Sequence, residues 1–279
     1  MKITIVGLGL IGGSFARDLK SQIKVRVFGV ESNENHIRQA TELGLVEKII
    51  DLEEAVKISD VIILAVPVDV LEIIIPQLLN KISDEQIIID LGSTKELICR
   101  SVENHPRRGR FVAAHPLAGT EFSGPGAALR GLFLGKKNII CEAEKMDKDV
   151  LNTAIKIFES LGLENIMMDA SEHDKHLAYV SHLSHVSSFM LGMTVLEIEK
   201  DEKQILNLAS TGFASTVRLA KSNPKTWSAI FDKNNKHLCN ALDQYILWLQ
   251  KFKSAVEKGD KKLAEAMMTK ANEIKKVLP

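Results

Sequence analysis

The sequence predicts an α/β fold: a doubly wound, mostly parallel sheet over residues 1–169, followed by an all-helical domain over 170–279. Three observations predict it. Short Val/Ile-rich runs alternate with amphipathic segments as far as Asp169, the pattern of strands buried on both faces and joined by helices. A glycine-rich turn closes the first run and opens an amphipathic stretch. Beyond Asp169 strand-like runs cease and helical periodicity alone remains.

The apolar runs are KITIVGL (2–8), KVRVFGV (24–30), VIILAVPV (61–68), QIIIDLG (86–92) and RFVAAH (110–115). Helical stretches fall between them at 11–21, 33–43, 69–80 and 94–104. Two further runs, KKNIICE (136–142) and LENIMMD (163–169), bracket a helix at 147–161. DASEHDKH offers several N-cap candidates for a helix. The second domain then reads as helices at 171–199, 202–209, 212–221, 224–233, 235–258 and 260–277, separated by short breaks such as SNP and EKGD.

Composition narrows the function classes. The 279 residues are 45% hydrophobic and 26% charged, enough for two domains with real cores. Thirty-six basic residues balance 36 acidic ones, so no charge excess points to nucleic acid. Cys99, Cys141 and Cys239 are widely spaced and form no CxxC, which suits a reducing cytoplasm and argues against a disulfide framework or zinc knuckle. No apolar run reaches the ~18 residues of a membrane span. The N-terminal run is broken by glycines that have another explanation than a signal peptide.

That explanation is G-x-G-x-x-G, read as Gly7, Gly9 and Gly12 with Leu10 and Ile11 between them. After a strand and before a helix, Gly7 permits a tight turn, Gly9 lets backbone approach a pyrophosphate, and Gly12 lets helix and strand pack closely. The pyrophosphate would rest on the helix N-terminus. Glu31 ends the next strand 24 residues after Gly7, where a carboxylate binds the adenine ribose hydroxyls and repels a 2′-phosphate; this favours NAD over NADP. Val66 and Pro67, at the carboxyl end of their strand, are candidates to line the nicotinamide side, or form only a strand-to-helix turn.

Ser93 in DLGSTKE and His115 in AAHPLAGTE follow adjacent strands, so both fall on the carboxyl edge of a parallel sheet. Histidine can accept a hydroxyl proton near neutral pH, the task of a base in hydride chemistry. A serine beside it could hold the ring or the substrate hydroxyl. Further on come His173, His176, His182 and His185. At about 100° per residue, the first two and the last two form pairs that point to opposite sides, which disfavours one metal site built from all four. Ser181, His182 and His185 read as the lining of a polar pocket, the other reading being a solvated face. Arg218, amid small residues in STGFASTVRLAKSNPKTW, could clamp a carboxylate, or be a surface charge.

GLGLIGGS, DLGSTK, HPLAGTEFSG, SHLSH and TVRLAKSNPKTW, in this order and over essentially the whole chain, resemble the prephenate dehydrogenase family of tyrosine biosynthesis. The resemblance implies a Rossmann-like first domain, a helical domain that forms a homodimer, and oxidative decarboxylation of a cyclohexadienol with hydride passing to NAD. It implies His115 as the catalytic histidine and Ser93 as its helper on the 4-hydroxyl. It implies His185, with His182 and Ser181, and Arg218 as binders of substrate carboxylate. Thr120 and Glu121 would belong to a loop over the site, and Trp227 would wall the pocket, from the same chain or across the dimer. Two departures stand out: Ser215 replaces an acidic residue common in the family, leaving ion-pair gating through that position in doubt, and Ser184 replaces proline in SHLPH. Allosteric control through a fused mutase or a regulatory ACT domain is not expected. Arogenate dehydrogenase and dual-specificity cyclohexadienyl dehydrogenase remain open. More distant readings are a β-hydroxyacid dehydrogenase or imine reductase, and a non-catalytic NAD-binding protein.

Overall fold

The computed structural model describes residues 1–202 and 204–277; the last two residues of the expected helical domain, and Lys203, lie outside the described residues. In chain order the sheet strands are β1 (Lys2–Val6), β2 (Arg26–Val30), β3 (Val61–Leu64), β4 (Ile87–Asp90), β5 (Phe111–Pro116), β6 (Lys137–Cys141) and β7 (Glu164–Met168). They form one sheet of order β2-β1-β3-β4-β5-β6-β7. All neighbours are parallel except β5 and β6, which run antiparallel with His115 opposite Ile139. β2 lies on one side of β1 and β3 on the other, so the strand order reverses beside β1, where such sheets bind ligands.

Helices α1 (Leu10–Gln22), α2 (Glu34–Glu42), α3 (Leu52–Ile58), α4 (Val68–Lys81), α5 (Glu96–Ser101) and α6 (Lys148–Ser160) connect the strands. Two apolar layers flank the sheet. One joins Ile3, Ile5 and Ile63 to Phe15 of α1 and Phe158 of α6; the other joins Ile62, Leu64 and Ile88 to Leu71 and Ile75 of α4. The continuous Ile/Val runs thus serve both faces, as buried parallel strands require.

Several elements differ from the periodicity reading. α3 falls in a segment without a predicted element, although Asp51 caps it by accepting from the Glu54 N–H. The helix expected over 94–104 is only Glu96–Ser101. The helix expected over 171–199 is α7 (Ala170–Leu177), a π-helical turn (Ala178–His182) and α8 (Leu183–Asp201). Of the helix expected at 202–209, the described residues hold one 3₁₀ turn, Leu206–Leu208. α9 (Thr211–Thr216) ends in a 3₁₀ turn at Arg218–Lys221, and α10 (Pro224–Lys233) comes next.

Strands end at Met168, but the first compact unit runs on to Asn234. Its helical part is tied to the sheet part: Asp174 of α7 accepts from the Lys95 and Glu96 N–H groups at the start of α5, and Lys233 bonds Glu72 of α4 at 2.6 Å. The second unit, residues 235–279, is the hairpin of α11 (Asn235–Glu257) and α12 (Lys261–Ala271). Tyr245, Trp248, Leu249 and Phe252 of α11 and Met267 and Met268 of α12 line a groove between them.

Gly12 shows how tightly α1 meets β1. A Cβ there would lie 1.9 Å from the Gly7 carbonyl oxygen, a clash with backbone that no rotamer relieves. Gly12→Ala is expected to destabilise the protein by roughly 1–3 kcal/mol or more, read as a lower urea midpoint at unchanged m-value.

Candidate active site

The glycine turn forms the first half of the site. Gly7 has φ +89°, and a Cβ on it would meet the Ala65 carbonyl oxygen at 2.6 Å and the Val66 side chain at 3.0 Å, so Val66 stands against the turn. Gly9 is the N-cap of α1 and has nothing within 4 Å of where a Cβ would be. No side chain caps that helix, and the opening N–H groups of Leu10 and Ile11 have no partner inside it. Glu31 closes this end. Its Oε2 accepts from the Leu8 N–H at 3.0 Å, and its Oε1 accepts from Ser32 and Asn33 at 2.9 and 3.0 Å. Pro67, exposed, is the N-cap of α4. Open backbone at Gly9, an uncapped helix start for an anion and a fixed carboxylate beside them fit a dinucleotide.

The second half gathers at the ends of β4 and β5. Lys95 is wholly buried, and its Nζ bonds both carboxylate oxygens of Asp90 at 2.5 and 2.6 Å and the Ala114 carbonyl at 2.8 Å. Burial pushes the Asp90 carboxyl up, with the Lys95 ammonium pulling the other way. Lys95 thereby ties the end of β4 to the residue just before His115. The Ser93 hydroxyl is half-buried and has no hydrogen-bond partner among the described residues; the pairing of Ser93 with His115 that their edge positions suggest is absent from the contacts formed. His115 Nδ1 lies instead 2.9 Å from His173 Nε2. His173 Nδ1 in turn lies 2.7 Å from Asp174 Oδ1.

The projection of the four histidines to opposite sides is overturned here. His173 and His182 are both buried, at 0% and 1% exposure, while His176 is exposed. Asn234 bridges the first group to the second, donating to the Asp174 carbonyl at 2.7 Å and lying 3.1 Å from His182 Nδ1. The cause is the π-helical turn: i→i+5 winding between Ala178 and His182 changes the phase that uniform α-helix would impose. Past it, His185 stacks on Trp227 with ring centroids 3.4 Å apart, its Nδ1 3.0 Å from the Ser181 carbonyl. Trp227 also meets His182 edge-on, within one chain. Within SHLSH, His182 is buried, Ser181 and His185 are half-buried and Ser184 is exposed.

Burial dominates the electrostatics of these rings. It drives His115 well below the ordinary 6.5, helped by the nearby Lys95 ammonium and by the neighbouring rings of His173 and His182, beside which a second positive charge would be repelled. It lowers His173 against the opposing pull of Asp174, lowers His182 to about 4, and lowers His185 with Arg218 as a further cause. Neutral imidazoles, able to accept protons, thus line this side at neutral pH.

The long segment after β5 is anchored at two places. The Leu129 N–H donates to Ser14 Oγ at 2.9 Å and the Gly131 N–H to Asp18 Oδ1 at 2.8 Å, both on α1. Nearer His115, Glu121 meets Arg218 at 3.3 Å; Arg218 is half exposed and Thr120 is exposed. Ser215 bonds the Gly212 carbonyl, so the loop carboxylate of Glu121 supplies the arginine's ionic partner. Sequence reasoning missed Lys95, Asp174 and Asn234 as parts of the site. Lys95 had a visible signal: a lysine five residues after the aspartate that ends a buried strand.

This packing has two measurable consequences. Lys95→Met would leave the Asp90 charge buried without its partner and cost about 3–5 kcal/mol, measured by chemical denaturation. The four lowered histidines make the unfolded chain the better proton acceptor below 6.5. Their contribution is present in full above that value and is lost as pH falls toward the folded values, so Tm should drop between about pH 7 and about pH 5.

Comparison with known proteins gives this geometry a setting. Residues 15–167 match the family model described as prephenate dehydrogenase, nucleotide-binding domain, and residues 169–270 match that of the prephenate dehydrogenase dimerization domain. A cyclohexadienyl dehydrogenase of Zymomonas mobilis is 30% identical over 92% of this chain and 89% of its own length. A prephenate dehydrogenase of Bacillus subtilis is 29% identical over 92% of this chain and 71% of its own. The crystal structure of prephenate dehydrogenase from A. aeolicus, in complex with hydroxyphenyl propionate and NAD+, superposes with a TM-score of 0.90 at 29% identity, covering 100% of this chain and 98% of that one.

Proposed function

This chain belongs to the prephenate dehydrogenase family of oxidoreductases, and from that premise we propose that it catalyses the NAD-dependent oxidative decarboxylation of prephenate to 4-hydroxyphenylpyruvate in tyrosine biosynthesis. The observation that carries the reading is the placement of His115. It stands at the carboxyl edge of the sheet, with Nδ1 engaged by His173 and Nε2 without a partner among the described residues. Its neutral form is favoured by burial.

NAD would be held by Gly7, Gly9, Leu10, Ile11 and Gly12 at its pyrophosphate, by Glu31 at the adenine ribose, and beside Val66 and Pro67 at the nicotinamide; when bound, it accepts a hydride. His115 Nε2 takes the proton of the 4-hydroxyl as C4 loses hydride and the C4–O bond becomes a carbonyl. Ser93, free of other partners, orients that hydroxyl. The C1–carboxylate bond then breaks, its electron pair enters the ring, and CO₂ departs. The aromatic oxygen recovers the proton from His115, so the cycle leaves no net proton on the protein. Aromatisation drives the loss, and the protein's task is orientation and the handling of one proton.

Arg218 and His185 bind substrate carboxylate, with His182 and Ser181 behind them. Trp227 holds His185 flat, and Thr120 and Glu121 belong to the segment that covers the ring and excludes water. A departing carboxylate bound too well in the ground state would slow its own loss. Half-exposed Arg218, already paired with Glu121, is therefore assigned to the side-chain carboxylate. Functionally we divide the chain at 169/170, into a cofactor domain and a helical substrate and dimerisation domain. The apolar groove of α11 and α12 and the dimerization-domain match support a homodimer. Free Cys99, Cys141 and Cys239 suit a reducing cytoplasm. Dual use of prephenate and arogenate has one observation in its favour, the cyclohexadienyl dehydrogenase relative.

The test is NADH formation with prephenate or arogenate, and with NADP in place of NAD. Prephenate and NAD should support turnover, and no turnover with either substrate would sink the proposal. His115→Asn should lower kcat by roughly 10²–10⁴-fold with little change in Kd for NAD. Since the base is the neutral ring, wild-type kcat/KM should be level above 6.5 and fall only well below it.

A further inference from the structure

The proposed reaction leaves unused a buried pair behind the base, His173 and Asp174. We infer that His173 and Asp174 act as a positioning pair that sets the tautomer of His115, fixing the proton on Nδ1 so that Nε2 meets the substrate as a lone pair. This deepens the proposed function and rests on it.

The direction of each hydrogen bond is dictated by the fixed end of the chain of bonds. Asp174 accepts from two backbone N–H groups whose polarity cannot change: Lys95 N–H to Oδ1 at 2.7 Å and Glu96 N–H to Oδ2 at 2.9 Å. These donors open α5, whose positive end favours a carboxylate. A carboxylate can only accept, so His173 Nδ1, 2.7 Å from Oδ1, carries a proton and donates it. In a neutral His173 the other nitrogen, Nε2, is then an acceptor. His115 Nδ1, 2.9 Å away, must be the donor, which leaves the proton off His115 Nε2. The opposite tautomer would set a bare Nδ1 against the bare Nε2 of His173.

Other groups around the pair do not upset this order. Lys95 Nζ is taken up by Asp90 and the Ala114 carbonyl. His182 Nδ1 faces Asn234, and His176 is exposed. When His115 takes the substrate proton, the charge it gains faces the His173–Asp174 pair and is stabilised through it. His173 has both ring nitrogens engaged at 0% exposure.

The test has one readout independent of turnover. In ¹⁵N-histidine-labelled protein saturated with NAD, the ring nitrogens of His115, assigned by His115→Asn, should report a proton on Nδ1 and none on Nε2; the reverse would overturn the inference. Kinetically, His173→Met removes the acceptor at similar bulk and should lower kcat by roughly 10²-fold or more, with KM for prephenate within about threefold. His173→Gln places an amide oxygen near the lost Nε2 and should recover kcat to within about tenfold of wild type. Wild-type kcat in His173→Met, or a His173→Gln as slow as His173→Met, would overturn it. Asp174→Ala, which removes the acceptor of the His173 Nδ1 proton, should fall with His173→Met and serves if the methionine variant does not fold. Absence of wild-type turnover would instead overturn the proposed function, while the ¹⁵N spectrum would still decide the tautomer.

Discussion

The buried ion pair of Lys95 and Asp90 is the constraint on which the site depends. One side chain reaches the last residue of β4 and the carbonyl before His115, while its own backbone N–H is held by Asp174 of α7. Taking two charges out of water costs several kcal/mol per ion, and their attraction repays this only with good geometry and further hydrogen bonds. Both conditions are met, but an apolar pair of similar bulk could hold a sheet as well. What apolar groups could not do is fix the spacing of two strand ends and a helix by directional bonds. The pair is therefore understood as a spacer that sets where His115 stands relative to Ser93 and α7.

Much of the architecture was legible because its causes are local. Continuous Ile and Val runs mark strands buried on both faces, and Gly7 and Gly12 sit where a side chain would strike backbone. His115 and Ser93 could be placed on one edge because β4 and β5 are parallel neighbours. The contacts within the site were less legible. Glu121 and Arg218 are 97 residues apart, and no local pattern announces their pairing. The histidines of α7 and α8 escaped the periodicity argument for a sharper reason: extrapolating 100° per residue fails where the chain winds i→i+5. Ser93 and His115 share an edge, yet sharing an edge does not decide which neighbour a ring turns to, and His173 is the neighbour it meets.

The two halves of the site are electrically unlike. At the cofactor end Glu31 is a fixed carboxylate satisfied by three backbone N–H groups. At the other end burial favours the neutral rings of His115, His182 and His185, the Lys95 ammonium is taken up by Asp90, and Arg218 stands half exposed beside Glu121. Under the proposed function such an arrangement would hold an anionic ring compound mainly by shape and hydrogen bonding, with Arg218 as the ionic anchor. In the proposed reaction that suits a molecule that must lose one carboxylate and keep the other.

The π-helical turn at Ala178–His182 has a consequence for how this chain can vary over time. Such a turn is an α-helix carrying one residue too many, so its content is a count and not a composition. Loss of any one of its residues would let it close into ordinary α-helix, with the later side chains of α8 keeping the directions they have now and His185 keeping the face of Trp227. The same loss in regular helix would turn everything after it by about a quarter of a revolution. Among descendants of this sequence, a one-residue shortening should therefore be tolerated in this stretch far more readily than in α7 or α8.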